Sequence, residues 1–270
     1  MLSIFLFVTD YSGQNSILPS KQGNISTNKT LQVPQEIQEK KDFSQLTQSY
    51  NQILATTQAE FGITFLDLKT GEKLFINGEK TFHAASTSKA IVGAYALKQV
   101  DEQKLSLDEN ISGLTLSERI RLMINISDND SWEALLNYFG ISTIQNFSRG
   151  LDLSATNHFD NTSTADDLAK FLEKIYKNEV LSQKNKNYLL AFMQNTEKED
   201  RITAGIPSKN LVFHKGGTYN GEIHDIGIIA HPKNPFVLAI LSDGKNDLDA
   251  RPKILAGIAK ASWEFAEGKL

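Results

Sequence analysis

The sequence predicts an α/β fold in which an antiparallel sheet of about five strands is flanked by N- and C-terminal helices and interrupted by an all-α insertion. Three observations lead to this prediction. Two short apolar runs flank a Gly-containing turn early in the chain, and three more strand-like runs follow one another late in it. A long segment with helical periodicity separates the two groups. Because no crossover helices separate the last three runs, we expect antiparallel pairing.

In chain order, the first predicted element is a helix near Phe43, where apolar residues recur at helical spacing. A β-hairpin follows, with its turn at Gly71. Helical patterning then extends over 86–205, with breaks at 106–108, at Gly140 and at 150–163.

The C-terminal part returns to strands and closes with a helix. It is predicted to contain strands at 211–214, 223–230 and 236–241, followed by a helix at about 249–267. The domain is therefore expected to span 41–270, with an α/β lobe at 41–85 and 206–270 and an all-α lobe at 86–205.

Composition excludes several classes of function. The 270 residues carry a net charge of −4 with both signs mixed, so there is no basic surface for nucleic acid. The absence of cysteine excludes disulfides, thiolate metal sites and a cysteine nucleophile. No H-E-x-x-H or comparable ligand spacing occurs, so neither a metal nor another cofactor is expected.

Residues 1–40 are predicted to be an apolar start and a flexible polar tail. The apolar run at 2–8 is far shorter than the roughly 20 residues of a spanning helix, and it lacks the basic region and cleavage site of a signal peptide. Two interpretations stay open: a stray hydrophobic tail, or the remnant of an export signal or membrane anchor.

Ser86 and Lys89 form a candidate catalytic pair. They stand three residues apart before a strongly apolar helical run, which would place their Cβ atoms about 5–6 Å apart on one face. The helix N-terminus would add free N–H groups where an oxyanion could form. Taken alone, Ser86 is better explained as a helix cap, and the same S-x-x-K pattern recurs at Ser26 and Ser242.

Two further clusters strengthen that candidate. Ser127, Asp128 and Asn129 lie between two helical segments, where a serine could relay a proton and an amide could hold a substrate. Lys215 precedes two glycines on a predicted edge strand, which offers a cation beside a closely approachable backbone. Each cluster taken singly is also explained by ordinary loop, cap or turn chemistry.

The ordered set S-x-x-K, S-D-N and K-G-G resembles the signature of class A β-lactamases and penicillin-binding proteins, whose third motif is K-T-G. The resemblance covers roughly residues 43–268 and implies a β-lactamase-like serine hydrolase without a cofactor, located outside the cytoplasm. The flanking segments that are similar to class A sequences are 123–140, 161–182, 200–207 and 215–232.

The resemblance implies a role for each matched residue. Ser86 would be the acylated nucleophile and Lys89 its proton acceptor, while Ser127 would pass the proton to the departing nitrogen. His83 is expected to line the same site.

The remaining matched residues would bind the substrate. Asn129 would position its side chain and Lys215 would anchor its carboxylate, while the N–H of Thr218 would complete the oxyanion hole beside Gly217. Gly216 stands where the family has Thr or Ser, which removes one hydroxyl from the carboxylate contact.

One departure from the family bears on the last step of the reaction. Class A enzymes carry a glutamate in an Ω-shaped loop that activates the deacylating water, but residues 150–164 contain no glutamate. Asp160 is a possible substitute, whereas Asp166 and Asp167 follow Thr164 in a pattern typical of helix capping. Without a positioned base we expect slow deacylation, because general-base help is worth about 10²–10⁴-fold.

Three functions therefore stay open at this stage. The chain is predicted to be a monomeric β-lactamase-like hydrolase with slow or atypical deacylation, acting on small β-lactams or related amides. The alternatives are a peptidoglycan D,D-peptidase acting on D-Ala-D-Ala peptides, and a non-enzymatic module, either a β-lactam sensor that remains acylated or a binding protein. Anchoring to a membrane through the N-terminus is a further possibility.

Overall fold

The computed structural model describes residues 41–270, so the predicted apolar start and tail lie outside the described residues. No helix in this part of the chain combines the length and apolar composition needed to cross a membrane.

The strands of the described residues are β1 (Glu60–Asp67), β2 (Lys73–Ile76), β3 (Phe82–His83), β4 (Asn110–Ile111), β5 (Leu114–Thr115), β6 (Thr162–Ser163), β7 (Val212–Tyr219), β8 (Glu222–Ile229) and β9 (Phe236–Asp243).

The main sheet has five antiparallel strands in the order β2-β1-β9-β8-β7, which confirms the predicted fold class. β9 pairs with β1 over eight residues, from Glu60 opposite Asp243 to Asp67 opposite Phe236. β7 lies at one edge of the sheet, as predicted for the strand that carries Lys215. The hairpin of β1 and β2 near the start of the domain and the last three strands therefore meet side by side.

Both faces of the sheet are covered, and the alternation of side chains along β9 shows how. Leu238 and Ile240 pack into a cluster with α1 and α9, whereas Val237 and Ala239 pack on the opposite face against the helical insertion. The helices are α1 (Ser44–Leu54), α2 (Lys89–Asp101), α3 (Leu116–Asn125), α4 (Asn129–Phe139), α5 (Ile141–Gly150), α6 (Ala165–Tyr176), α7 (Gln183–Phe192), α8 (Ile202–Gly205) and α9 (Arg251–Ala266).

The structure differs from the sequence prediction at three places. α2 begins at Lys89 and not at Ser86, because residues 85–88 form a turn in which Ala85 has a φ of +49°. β7 continues past His214 through the whole K-G-G segment to Tyr219. A small hairpin of β4 and β5 interrupts the predicted helical stretch.

Candidate active site

A cleft of about 470 Å³ opens between the end of β7, the turn before α2 and one face of α4. Four of the seven predicted site residues line it, namely Ser86, Lys89, Asn129 and Thr218. Of the other three, Ser127 contacts Lys89, Lys215 contacts Ser127, and Gly217 lies against the turn that holds Ser86.

Ser86 lies in the turn that joins β3 to α2. The turn is fixed from both sides: Thr87 donates its N–H and its hydroxyl to the carbonyl of Ala84, at 3.1 and 2.6 Å. The Ser88 hydroxyl donates to Asn161 Oδ1 at 2.7 Å, which ties the turn to the loop before α6. Ser86 is half-buried and faces the cleft from a backbone with little freedom to move.

Lys89 is the first residue of α2, and its side chain is buried with 1% exposure. Its Nζ donates to the carbonyl of Ser127 at 2.6 Å and to Asn129 Oδ1 at 2.7 Å. It also lies 5.6 Å from the centre of the Trp132 ring. Burial lowers the pKa of Lys89 to about 8, so a neutral amine that can accept a proton is accessible near physiological pH.

The loop between α3 and α4 holds Ser127 in an unusual backbone conformation, with a φ of +62°. Asp128 caps α4 by accepting from the N–H of Ser131 at 2.7 Å, and this contact braces the loop. The resulting geometry directs the Ser127 carbonyl at Lys89 and its hydroxyl at Lys215.

Lys215 projects from the edge strand β7 into this arrangement. Its Nζ donates to Ser127 Oγ at 2.9 Å and to the carbonyl of Gly216 at 3.0 Å. Burial, and next the positive charge of Lys89, lower the pKa of Lys215 to about 7. The structure thus links two buried lysines through one serine, although the three residues are far apart in sequence.

Gly217 allows β7 to approach the Ser86 turn. A Cβ atom at this position would lie 2.9 Å from the backbone nitrogen of Ser86 and 3.0 Å from Ala85 Cβ, closer than real Cβ contacts come. The next residue, Thr218, is exposed at the rim of the cleft. Gly217 therefore brings the strand close to the nitrogen predicted for the oxyanion hole.

Arg201 is a neighbour of the site that sequence reasoning missed. It is 3% exposed, and its Nη2 donates to Thr218 Oγ1 at 2.5 Å while its Nη1 donates to the carbonyl of Gly217 at 2.7 Å. A Cβ on Gly216 would lie 3.2 Å from the same Nη1. The guanidinium of Arg201 therefore lies beside Gly216, the position at which the family pattern has the hydroxyl of a Thr or Ser.

The loop at 150–163 contributes an amide to the cleft. Asn161 lines the cleft and donates to the carbonyl of Ala85 at 3.0 Å, whereas Asp160 is exposed and accepts from Asn157 Nδ2 at 2.7 Å. Thr164 caps α6 by accepting from the N–H of Asp167, which confirms the capping interpretation of that pattern. The geometry gives no support to Asp160 as a base.

Other lining residues come from α4 and from the β3 and β7 ends. His83 lines the cleft as expected and stacks on Tyr219 at 4.4 Å between ring centres. Trp132, Glu133 and Leu136 were missed, although they follow Asn129 at spacings of three, four and seven, which identify one face of a helix. This spacing could have found them once Asn129 was placed.

Comparisons with known proteins agree with this fold. A profile described as "Beta-lactamase enzyme family" matches residues 45–266. The chain is 22% identical to beta-lactamase VEB-1 of Pseudomonas aeruginosa, over 82% of this chain and 90% of that protein. It is 27% identical to beta-lactamase 3 of Bacillus cereus, over 82% and 79% of the two chains.

Solved structures show the same architecture. An ancestral class A beta-lactamase matches with a TM-score of 0.77 at 23% identity, covering 82% of this chain and all 100% of that one. A beta-lactamase from Chitinophaga pinensis matches with a TM-score of 0.76 at 24% identity, covering 82% and 99% of the two chains. The fold predicted from the resemblance is thereby confirmed.

Proposed function

This chain belongs to the beta-lactamase enzyme family, a group of class A beta-lactamase-like serine hydrolases, and from that premise we propose that it opens β-lactams or related amides through an acyl-enzyme at Ser86. The observation that carries the proposal is the position of Ser127 between two buried lysines. Its carbonyl accepts from Lys89 Nζ at 2.6 Å and its hydroxyl accepts from Lys215 Nζ at 2.9 Å.

In the proposed acylation, Ser86 Oγ attacks the amide carbon and its proton moves to the neutral form of Lys89, directly or through water. The C–N bond then breaks, and the Ser127 hydroxyl gives its proton to the departing nitrogen. The lysine pair returns to Ser127 the proton taken from Ser86, so that proton ends, in effect, on the nitrogen. Lys215 would support this relay by donating to Ser127 Oγ at 2.9 Å, which holds the hydroxyl in place. General acid–base help of this kind is worth about 10²–10⁴-fold in rate.

We assign substrate binding to the groups around the nucleophile. The backbone N–H groups of Ser86 and Thr218 would stabilise the oxyanion, and the close approach at Gly217 supports that pairing. Asn129 would hold the substrate side chain, and Lys215 would attract its carboxylate. The glycine at position 216 leaves that carboxylate contact with one hydroxyl fewer than the family pattern supplies.

The proposed turnover is slow or atypical at the deacylation step. The loop at 150–164 carries no glutamate, and its exposed Asp160 does not line the cleft. The same observation favours a second candidate, a D,D-peptidase that is acylated by D-Ala-D-Ala peptides, because that family reacts without the loop glutamate. Either activity fits a monomer that acts outside the cytoplasm.

The proposal is tested by incubating the protein with a penicillin and following its intact mass over time. A transient adduct with hydrolysed product supports the hydrolase, while a lasting adduct supports the peptidase or a sensor. The variant Ser86→Ala should give no adduct. Absence of an adduct on the unmodified protein contradicts the proposal as a whole.

A further inference from the structure

Among the residues between 41 and 270 that line the cleft, Glu133 is the one that carries a carboxylate. It follows Asn129 by four residues on α4, so the two side chains lie on the same face with Cβ atoms about 5–6 Å apart. Asn129 Oδ1 in turn accepts from Lys89 Nζ at 2.7 Å. Glu133 therefore lies one helical turn from a group that contacts the catalytic lysine.

We propose that Glu133 is the general base that activates the water which hydrolyses the acyl-enzyme, an inference that rests on the proposed acylation of Ser86. The carboxylate would replace, from a helix, the glutamate that the loop at 150–164 lacks. A base needs to reach the proton it takes at about 2.6–3.2 Å or through one water molecule. From α4, Glu133 lines the same cleft as Ser86, where a water held between the two side chains would satisfy that requirement.

The surroundings of Glu133 leave its carboxylate available. The side chain is exposed to the cleft, and no hydrogen bond or ion pair among the described residues involves its carboxylate. The carboxylate of Asp128, by contrast, accepts a hydrogen bond from the N–H of Ser131. Trp132 and Leu136 lie on either side of Glu133 along the same lining face. These apolar groups limit the directions from which water reaches the ester.

In the proposed deacylation, the water oxygen forms a bond to the acyl carbon of the Ser86 ester, and one water proton moves to the Glu133 carboxylate. The tetrahedral intermediate then collapses, the bond from the acyl carbon to Ser86 Oγ breaks, and Oγ takes up that proton. One water is consumed, the acid product leaves, and both side chains return to their starting forms.

Two rival bases in the same region are already engaged. Asp160 is exposed outside the cleft and accepts from Asn157. His83 lines the cleft, but its Nδ1 accepts from the N–H of Ala85 at 3.2 Å and lies 3.1 Å from Glu222 Oε2. The other ring nitrogen of His83, Nε2, lies 3.5 Å from Asn161 Nδ2, so both ring nitrogens already have a polar neighbour.

The experiment compares Glu133→Gln with a matched control on the same helix, Asp130→Asn, whose side chain is exposed and does not line the cleft. Each protein is mixed with excess penicillin, freed of unreacted drug, and quenched at intervals for intact-mass analysis. Acylation of Glu133→Gln should stay within about threefold of the unmodified protein. Its adduct should persist about 10²-fold longer, the lower end expected for loss of a general base.

The outcomes separate this inference from the proposed function. Loss of the adduct from Glu133→Gln at the unmodified rate, or an equal slowing in Asp130→Asn, overturns the role of Glu133. An unmodified protein that is acylated but never released also overturns it, while leaving acylation at Ser86 standing. A protein that forms no adduct overturns both.

Discussion

Substitution of Gly217 by alanine tests how closely β7 must approach the nucleophile. The new Cβ would lie 2.9 Å from the nitrogen of Ser86, 3.0 Å from Ala85 Cβ and 3.2 Å from the nitrogen of Thr87. Ordinary van der Waals contact begins at about 3.4 Å, so the strand and the turn must separate by roughly 0.5 Å. The backbone of Gly217 does not have a positive φ, and the substitution therefore acts through space alone.

The expected loss follows from the groups that are displaced. Two backbone N–H donors, one on each side of this contact, are proposed to stabilise the oxyanion, and removal of one such donor costs about 10²–10³ in rate. We expect Gly217→Ala to acylate about 10²-fold more slowly, with a stability loss of about 1–3 kcal/mol from overpacking. Stopped-flow acylation by a chromogenic β-lactam and urea unfolding measure the two quantities.

Gly216→Ala provides the matched control for this prediction. Its Cβ would lie 3.1 Å from Lys198 Cβ and 3.2 Å from Arg201 Nη1, contacts that adjustments of a few tenths of an ångström relieve without moving the Ser86 turn. Its acylation rate should stay within about fivefold of the unmodified protein. If Gly217→Ala acylates as fast as that control, the close approach at Gly217 has no part in catalysis and the reasoning fails.

Two further predictions concern pH. The kcat/KM for acylation should have a bell-shaped pH profile centred between pH 7 and 8, because deprotonation of Lys89 promotes attack and deprotonation of Lys215 removes the charge that binds the carboxylate. The variant Lys215→Arg should lose the alkaline limb of this profile. A flat profile would contradict the roles of both lysines. Burial alone would lower the pKa of His214, but Asp225 and then Glu199 raise it to about 9. Protonated His214 therefore contributes fully to the free energy of unfolding below pH 6.5, and this contribution is lost as the pH rises through 9. The free energy of unfolding should fall by on the order of 3 kcal/mol over that window, a fall that urea titrations should not find in His214→Gln.

The five strands of the main sheet were predictable as elements because each is continuously apolar or alternating and is bounded by turn residues. β9 is an example, since seven of its eight residues are buried and it pairs with strands on both sides. The start of α2 was not predictable, because the turn at Ala85 depends on contacts with Asn161 and its loop, 76 residues away. Local patterning carries no information on such distant restraints.

The site was predictable to the extent that its residues lie in local motifs. Ser86 and Lys89 are three residues apart, but the contact between Ser127 and Lys215 joins residues 88 apart and follows only from the sheet topology. Arg201 and Glu133 lie outside the three motifs. Only the position of Arg201 beside Thr218 in three dimensions indicates its role, whereas the helical spacing of Glu133 from Asn129 was available in the sequence.

The central claim is that Ser86 is the residue acylated by β-lactams. The most direct test is to quench the protein with acid shortly after mixing with a penicillin, digest it, and locate the added mass by tandem mass spectrometry. We predict the adduct on the peptide that contains Ser86 and on its side chain. An adduct on another residue, or one that Ser86→Ala still forms, would contradict the claim.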